Sequence, residues 1–300
     1  MLPAHTRLAL GASSAPRPHR PRIGLLGRGM LPAMEKLYDM HCHVGFAPDP
    51  KAAAAAGAKA GIAALSCTVS PAEYERLSPA LAEVPNVDTA LGAHPWWIDD
   101  GRVGGAELER FCALAPATRF IGEIGLDFAG PRDTDESRRA QIAALDCILS
   151  ACDAAPAAAE TTGKLISVHV VNAAAAVLDL LEEHGTTDRH TVIFHWFSGT
   201  SDDLTRALAD GGYFSVGPRM LISRRGREYA RQIPLDRLLL ETDMPSRAGE
   251  ALPANVWRAE LGNALSGIAQ LKNIDHNLLT ERLATTSATL LGTERAPRPR

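Results

Sequence analysis

The amino-acid sequence predicts an α/β fold in which eight strands alternate with helices as a (β/α)8, or TIM, barrel. Apolar runs of strand length recur along the 300-residue chain, and longer stretches of helical character separate them. Continuous apolar runs such as LLL at 238–240 are typical of parallel strands buried on both faces. Eight such units in about 250 residues match the size of a TIM barrel, and an open doubly wound sheet is the alternative.

The elements are assigned from these runs in chain order. The predicted strands are 37–41, 61–67, 87–93, 119–125, 164–170, 191–197, 212–217 and 236–243. The predicted helices are 51–60, 72–83, 105–115, 136–158, 172–185, 201–210 and 223–232, followed by helical sequence to about 291. The alanine-rich stretch at 51–60 is interpreted as a helix because alanine has the highest helix propensity.

Both ends of the chain are expected to lie outside the barrel domain, which we assign to residues 35–292. Residues 1–34 contain five arginines, several prolines and no acidic residue. This composition fits a disordered basic extension, an organellar transit peptide or a mis-assigned start, and we favour translation beginning at Met34. Residues 293–300 are too rich in proline and arginine to pack, so we expect a frayed tail.

The composition is typical of a globular protein, with 46% hydrophobic and 22% charged residues. A net charge of −4 provides no overall basic excess for extended binding to duplex nucleic acid or a membrane surface. No apolar run reaches the roughly 18 residues that a membrane helix needs. Five cysteines without a CxxC pair favour reduced thiols. We therefore predict a cytoplasmic location, no membrane association and no obligate protein partner.

Side chains that bind metal ions follow several predicted strands at their carboxyl ends. His41 and His43 share one face of the first strand, because side chains alternate between faces with a period of two. The other candidates follow strands three, four, five, six and eight: His94, Glu123, Asp127, His169, His195 and Asp243. The carboxyl ends of TIM-barrel strands meet at one mouth, so we expect these residues to converge there.

Imidazoles and carboxylates in one place predict a centre with two divalent metal ions. Imidazole suits zinc and other first-row metals, and a carboxylate can bridge two ions. Two ions about 4 Å apart can bind an attacking hydroxide and hold a phosphoryl or carbonyl oxygen. A carboxylate after the last strand can accept the proton of that water. Any one of these residues could instead be a core group or a helix cap. Such residues at the ends of six strands together are hard to explain in that way.

Several short motifs carry these candidates: DMHCH at 39–43, GAHP at 92–95, GEIGLDF at 122–128, the histidine of strand five, HWFSG at 195–199 and LLLETDMP at 238–245. Their order resembles that of the TatD-like metal-dependent hydrolases, over roughly residues 35–292. The resemblance implies a TIM barrel of the metallo-dependent hydrolase type and the activity of a metal-dependent deoxyribonuclease.

The resemblance also implies a role for each ligand. One ion is held by His41, His43, Glu123 and Asp243, and the second by Glu123, His169 and His195, with Glu123 as the bridge. The two ions are Zn, Mn, Mg, Fe or Ni. Asp243 and Glu123 are then the catalytic residues, and Asp243 also orients or deprotonates the attacking water. Cys42, between the two histidines of strand one, is expected to point the other way into the barrel packing.

Substrate contacts are predicted at His94, Arg219 and Asn172. His94 resembles the His-Pro element of the family, near the substrate rather than a metal ligand, and a role in ordering its loop is equally supported. Many relatives carry Ser-Arg-Asp-Ala after the histidine of strand five, whereas this chain has Val-Val-Asn-Ala at 170–173, where Asn172 keeps hydrogen-bonding capacity. Arg219 follows strand seven and is the best replacement for the missing phosphate contact.

Several other residues in or beside these motifs each allow two interpretations. Asp127 could support the metal ligands through a hydrogen bond or cap the loop. Trp96 and Trp97 could stack on a nucleobase or form a lid at the barrel mouth. Glu241 is expected to face away from the metal ions, although its spacing from Asp243 also allows a role in the site.

We therefore expect a metal-dependent hydrolase of phosphodiester bonds that acts on DNA ends or short single strands, with exonuclease action favoured. The nearest alternative is hydrolysis of an amide or ester, such as an aminoacyl ester, because the same metal centre would polarise a carbonyl. The missing arginine of strand five strengthens this alternative. A non-catalytic metal-binding scaffold is a third possibility, which the complete set of ligands disfavours. Fold similarity alone cannot choose among the three.

Overall fold

A computed structural model describes residues 35–154 and 163–292 of the chain. The predicted extension 1–34, the predicted tail 293–300 and the last part of the predicted helix 136–158 lie outside the described residues. Eight strands follow one another, and every pair that forms is parallel. They are β1 (Leu37–Cys42), β2 (Ile62–Cys67), β3 (Val87–Ala90), β4 (Phe120–Asp127), β5 (Leu165–Val171), β6 (Thr191–His195), β7 (Tyr213–Val216) and β8 (Leu238–Leu240). This parallel α/β arrangement agrees with the predicted fold class.

Helices connect the strands and cover them. They are α1 (Pro50–Lys59), α2 (Pro71–Leu81), α3 (Pro95–Asp99), α4 (Gly105–Leu114), α5 (Asp135–Asp153), α6 (Ala174–Glu183), α7 (Thr186–Arg189), α8 (Ser201–Ala209), α9 (Pro218–Ile222), α10 (Arg224–Gln232), α11 (Ala254–Lys272) and α12 (His276–Leu291). The short helices α3, α7 and α9 were not predicted. Both α3 and α9 begin with proline, which fits the first helical position because its missing N–H would have no partner there.

The strands form two hydrogen-bonded sheets, β1–β3 and β4–β8, in chain order. Backbone hydrogen bonds outside the regular ladders continue the order at both edges. The Leu91 amide donates to the Phe120 carbonyl oxygen between β3 and β4, at 2.9 Å, and the Asp243 amide donates to the His41 carbonyl oxygen beside β1, at 3.0 Å. The strand order is therefore consistent with a TIM barrel whose ladder is interrupted at two places.

Buried apolar residues form two clusters on opposite faces of the strands. The larger cluster joins outward strand residues such as Ile166 and Leu240 to helix residues such as Leu145. The smaller cluster contains Ile193 and Leu239, which come from alternate positions of the strands, and is covered by α12. Side chains alternate between the two faces of each strand, so one apolar set lies beneath the helices and the other lies inside the ring of strands.

The glycine of GAHP allows three strand ends to meet below the site. A Cβ atom on Gly92 would lie 1.6 Å from the Thr68 carbonyl oxygen, and that oxygen accepts the Glu123 amide at 2.9 Å. Any side chain at Gly92 would push apart the ends of β2 and β4. Gly262 in α11 is the contrasting case, because a Cβ there would meet no atom within 4 Å.

We expect Gly92→Ala to lower the free energy of unfolding by about 3 kcal/mol or more, because the backbone around Thr68 would have to move. Gly262→Ala should raise the free energy of unfolding by about 0.5–1 kcal/mol, since alanine favours a helix over glycine. Urea unfolding followed by circular dichroism measures both values. Equal effects of the two substitutions would contradict this account of the strand ends.

Candidate metal centre

Glu123, in the middle of β4, lies at the centre of the site and is buried. Its two carboxylate oxygens face nitrogen atoms of five histidines. Oε2 lies 3.4 Å from Nε2 of His41 and 3.3 Å from Nε2 of His43, whereas Oε1 lies 3.3 Å from Nε2 of His94, 2.7 Å from Nδ1 of His169 and 3.0 Å from Nε2 of His195. One carboxylate thus contacts imidazoles from four parts of the chain, in or directly after β1, β3, β5 and β6.

Asp243 completes the site from the segment after β8. Its Oδ1 lies 3.3 Å from Nε2 of His43 and 4.0 Å from Nε2 of His41, and its Oδ2 accepts a hydrogen bond from Nη1 of Arg219 at 3.3 Å. The backbone of Asp243 is left-handed, with φ of 57°, a conformation that costs energy for a residue other than glycine. This turn points the carboxylate toward the histidines of β1.

The predicted ligands fall into three groups whose nitrogen and oxygen atoms lie within 4.8 Å of one another. The groups are His41, Glu123 and His195; His41, His43 and Asp243; and His94, Glu123 and His169. All six predicted ligands therefore come together. His94, which we predicted near the substrate, lies among them. Its Nδ1 also accepts the Trp96 amide at 3.1 Å, so it orders the start of α3 as well.

Neighbouring groups face the outer nitrogen of each of four histidines, and three of these contacts are hydrogen bonds, whereas Nδ1 of His195 has no hydrogen-bond partner among the described residues. His41 Nδ1 lies 2.7 Å from Ser167 Oγ, His43 Nδ1 lies 3.1 Å from the Cys67 carbonyl oxygen, His169 Nε2 lies 3.1 Å from Asp127 Oδ2 and His195 Nδ1 lies 3.5 Å from Glu241 Oε2. Such partners fix the tautomer and ring orientation of metal-binding histidines. Our expectation that Glu241 faces away is wrong: its carboxylate is buried, contacts His195 and accepts the Ser215 hydroxyl at 2.5 Å.

The surroundings of His43 favour a positive charge beside its Nε2. Its Nδ1 faces a carbonyl oxygen and must carry a proton, so its Nε2 faces Glu123 and Asp243 with a lone pair unless a second proton binds. Burial alone would lower the pKa of His43, but the hydrogen bonds with Asp243 and Glu123 raise it to about 10. A metal ion can take the place of that second proton.

Other buried groups support the same conclusion. His41 Nε2 is buried and has no hydrogen-bond partner within residues 35–154 and 163–292. Burial would raise the pKa of Glu123, but the charges of His94, His195 and His41 hold it well below its usual value. Imidazole nitrogens and carboxylate oxygens are ligands of divalent first-row metals. The side chains present therefore fit a metal centre.

Asp127 at the end of β4 combines both roles left open by the sequence. Its carboxylate contacts His169 and accepts hydrogen bonds from Trp96 Nε1 at 2.5 Å and from the Ala129 amide at 2.9 Å. Arg132 lies 3.2 Å from Oδ1 and over the Trp96 ring. Burial would raise the pKa of Asp127, but the hydrogen bonds with His169 and Trp96 lower it far below its usual value. Asp127 thus supports a candidate ligand and caps its loop.

A cavity of about 700 Å³ opens above the carboxylates. Its walls include aromatic side chains, the valines after His169 and three arginines: Phe46, Trp96, Trp97, Trp196, Val170, Val171, Arg102, Arg219 and Arg247. The predicted substrate contacts His94 and Arg219 line this cavity, whereas Asn172 does not. Asn172 is exposed and takes a left-handed turn with φ of 53°, which leaves Val170 and Val171 at the wall.

Trp196 and Arg247 are among the cavity-lining residues that were not predicted. Trp196 directly follows His195, has φ of 40° and is 37% exposed. Arg247 follows the LLLETDMP motif in the loop after β8. The signal for Trp196 was a large aromatic residue immediately after a predicted ligand. The sequence held no comparable signal for Arg247.

Asp39, also missed, joins β1 to the segment after β8. Its Oδ1 accepts the Thr242 amide at 3.0 Å, and its Oδ2 accepts the Thr242 hydroxyl at 2.5 Å and Trp257 Nε1 at 2.6 Å. Burial raises the pKa of Asp39 to about 7, against the effect of these hydrogen bonds. The register of β1 shifts between Asp39 and Cys42. Cys42 is buried in the larger apolar cluster, as predicted.

A model of the family described as TatD related DNase matches residues 38–292. The chain belongs to this family. Family membership confirms the resemblance seen in the motifs and the predicted class of hydrolase. Within the described ranges of this TatD-family chain, no helix has the length and apolar character needed to cross a membrane. The predicted cytoplasmic location stays a prediction.

Curated relatives of this TatD-family chain cover most of its length. TATDN3 of Mus musculus is 29% identical over 254 residues, which are 79% of this chain and 82% of the relative. The 3'-5' ssDNA/RNA exonuclease TatD of Escherichia fergusonii is 28% identical over 231 residues, or 73% of this chain and 84% of the relative. The metal-dependent hydrolase YjjV of Escherichia coli, whose own function is uncharacterised, is 30% identical over 222 residues, or 70% of this chain and 80% of the relative.

Solved structures show the same fold. The crystal structure of Escherichia coli YjjV superposes with a TM-score of 0.69 at 21% identity, over 86% of this chain and 98% of that chain. A TatD-family hydrolase of Entamoeba histolytica superposes with a TM-score of 0.66 at 15% identity, over 85% of this chain and 98% of that chain. At these identities the likeness supports the fold and not the substrate.

We expect Asp39→Asn to lower the free energy of unfolding by about 1–3 kcal/mol, because the amide nitrogen would leave the buried Trp257 N–H without an acceptor. Trp257→Phe removes that N–H, so the double variant should lose less stability than the sum of the single variants. Thermal and urea unfolding of the parent protein, the two single variants and the double variant give the four free energies of a double-mutant cycle. Strict additivity would show that the contact between Asp39 and Trp257 does not join β1 to α11.

Proposed function

We propose that this TatD-family chain hydrolyses phosphodiester bonds at the ends of single-stranded nucleic acid, with two divalent metal ions as cofactors. The observation that carries the proposal is the convergence of five imidazoles and Asp243 on the buried carboxylate of Glu123. A purely structural core would not collect so many polar groups at the floor of an open cavity.

We assign the ligands as follows. One ion would be held by His41, His43, Glu123 and Asp243, and the other by Glu123, His169 and His195, with His94 beside the second set. When bound, such ions supply Lewis acidity toward a phosphoryl oxygen and toward water. The supporting observation is that His41 and His43 each turn Nε2 toward both Glu123 and Asp243.

Asp243 is our candidate for the proton acceptor. Burial would raise its pKa, but the hydrogen bond with His43 and the nearby imidazoles lower it to about 2. The carboxylate is therefore ionised near neutral pH and lines the cavity, where it can accept the proton of a water molecule that attacks phosphorus. Arg219 holds its Oδ2 and also reaches the cavity, so it can contact a phosphate oxygen of the substrate.

The cavity suits a terminal nucleotide. Its volume of about 700 Å³ matches a site for one small-molecule ligand and not for a duplex. Trp96 and Trp196 are 47% and 37% exposed at its wall, so each presents aromatic surface on which a base could stack. The relative from Escherichia fergusonii is named a 3'-5' ssDNA/RNA exonuclease, which favours attack from the 3' end in this chain as well.

Hydrolysis of an amide or ester is the second candidate. It is favoured by the apolar wall of Val170 and Val171, where relatives would be expected to carry an arginine for phosphate. A carbonyl substrate would need no positive charge at that wall. A non-catalytic scaffold is a weaker candidate, because Glu123, Asp243 and four of the five histidines line the open cavity.

The first test is cleavage of a 3'-labelled and a 5'-labelled single-stranded oligonucleotide with Mg²⁺, Mn²⁺ or Zn²⁺. We expect stepwise shortening from the 3' end. Asp243→Asn should reduce kcat by about 10²- to 10⁴-fold, because the proton acceptor is lost. His41→Ala should reduce both activity and bound metal, measured by elemental analysis.

Failure to cleave any oligonucleotide, with metal bound, would contradict the phosphodiesterase proposal. Turnover of aryl esters or aminoacyl amides by the same preparation would then support the second candidate. Bound metal without turnover of either substrate class would support the scaffold. Exposed Asp202→Asn on α8 serves as the control for charge loss away from the cavity.

Asp127 provides a separate test of the metal assignment. Asp127→Asn keeps the shape of the side chain but removes the charge that faces His169, so metal affinity should fall by about 10- to 100-fold. Titration calorimetry with Mn²⁺ or Zn²⁺ measures this change directly. The matched control is Asp133→Asn, because Asp133 is paired with Arg138 in the neighbouring loop. Equal affinities of Asp127→Asn and the parent protein would contradict the role of Asp127.

A further inference from the structure

A strongly basic surface lies beside the cavity, on helices α9 and α10. Five arginines and one acidic residue, Glu228, occur between residues 218 and 232, although the chain as a whole has a net charge of −4. Arg224 and Arg225 are exposed, and neither has an ion pair or side-chain hydrogen bond with any residue of 35–154 or 163–292. Ile222, two residues before Arg224, is 78% exposed. We call Ile222, Arg224 and Arg225 the basic step.

The other arginines of this segment already have partners. Arg219 contacts Asp243 in the cavity, Arg227 donates to the carbonyl oxygens of Leu221 and Ile222, and Arg231 pairs with Glu228. Charge is therefore uncompensated specifically at the basic step. Contacts within the protein occupy the guanidinium groups of Arg219, Arg227 and Arg231. The guanidinium groups of Arg224 and Arg225 are available to an external anion.

The basic step continues from the cavity. Arg219 on α9 lines the cavity, and Ser223 ends α9 and caps α10, so Arg224 and Arg225 lie in the first turn of α10. Arg225 is six positions after Arg219, which limits their Cα separation to about 20 Å. Arg231, by contrast, lies in the last turn of α10 beside the end of α11. The unpaired charge is thus in the turn of α10 that lies closest along the chain to the cavity-lining Arg219.

We propose that the basic step binds the nucleic-acid strand that trails out of the cavity, several nucleotides away from the bond that is cleaved. This inference rests on the proposed function. The partner is an extended polyanion because two guanidinium groups without carboxylates favour successive phosphates. The exposed Ile222 adds an apolar surface that a sugar or base could cover. An acidic net charge elsewhere would keep a strand from spreading over the rest of the surface.

The proposal predicts a dependence on substrate length. At a charge spacing of about 3.4 Å or more per phosphate, a strand needs about six nucleotides or fewer to cover 20 Å. A 12-nucleotide strand should therefore reach the basic step from the cavity, whereas a dinucleotide should not. The basic step should strengthen the binding of long strands and have no effect on the binding of a dinucleotide.

The experiment compares Arg224→Ala/Arg225→Ala with the metal-loaded parent protein. Fluorescence anisotropy gives the Kd of a labelled 12-nucleotide strand that carries cleavage-resistant phosphorothioate linkages. Losing two phosphate contacts on a single strand should lower the slope of log Kd against log salt by about 1.4, equivalent to roughly 25-fold weaker binding at 0.1 M salt. Hydrolysis of bis(p-nitrophenyl) phosphate and of a dinucleotide should be unchanged.

The matched control is Arg206→Ala/Arg231→Ala, which removes the same charge from arginines that are already paired with acidic residues. Weaker binding of the 12-nucleotide strand in the first variant alone would support the basic step, and Arg224→Lys/Arg225→Lys should largely restore it. Unchanged 12-nucleotide binding with intact dinucleotide cleavage would overturn the basic step and leave the proposed function standing. Equal losses in both double variants would also overturn it, because the effect would then follow net charge.

Discussion

The carboxylate of Glu123 is the group on which the arrangement of this protein depends. An ionised carboxylate that is buried without compensation is costly, and here the compensation comes from imidazoles that belong to different strands. The ends of β1, β4, β5 and β6 must therefore lie at one level. Gly92 allows that packing because no side chain separates the ends of β2 and β4. The fold and the chemistry are linked through this single cluster.

Much of this arrangement could be predicted because it follows from periodicity. The alternation of apolar strands with helical stretches indicated the parallel α/β fold, and all eight predicted strands are present. The spacing of His41 and His43 indicated a shared face, and both side chains reach Glu123. Polar residues after other apolar runs could be assigned to the same mouth because parallel strands all end there. The ligands are therefore the part of the site that sequence reasoning recovers best.

The remaining features depend on local departures from regular structure. Asp39 accepts a hydrogen bond from Trp257, more than 200 residues away, a contact that a period of two along one strand cannot anticipate. The backbones of Asn172 and Trp196 are both left-handed. Asn172, a predicted substrate contact, does not line the cavity, whereas Trp196, for which no role was predicted, does. Glu241 was misjudged because a buried acidic residue was treated as packing when it contacts the outer nitrogen of a candidate ligand.

Metal stoichiometry tests the central role of Glu123 most directly. Metal-free protein can be titrated with Zn²⁺ or Mn²⁺ by calorimetry, and bound metal counted by elemental analysis after dialysis. We predict two ions per chain for the parent protein and at most one tightly bound ion for Glu123→Gln, because the shared carboxylate would no longer join the two sets of imidazoles. Exposed Glu281→Gln on α12 controls for the loss of a negative charge. Two ions bound by Glu123→Gln with unchanged affinity would contradict the account.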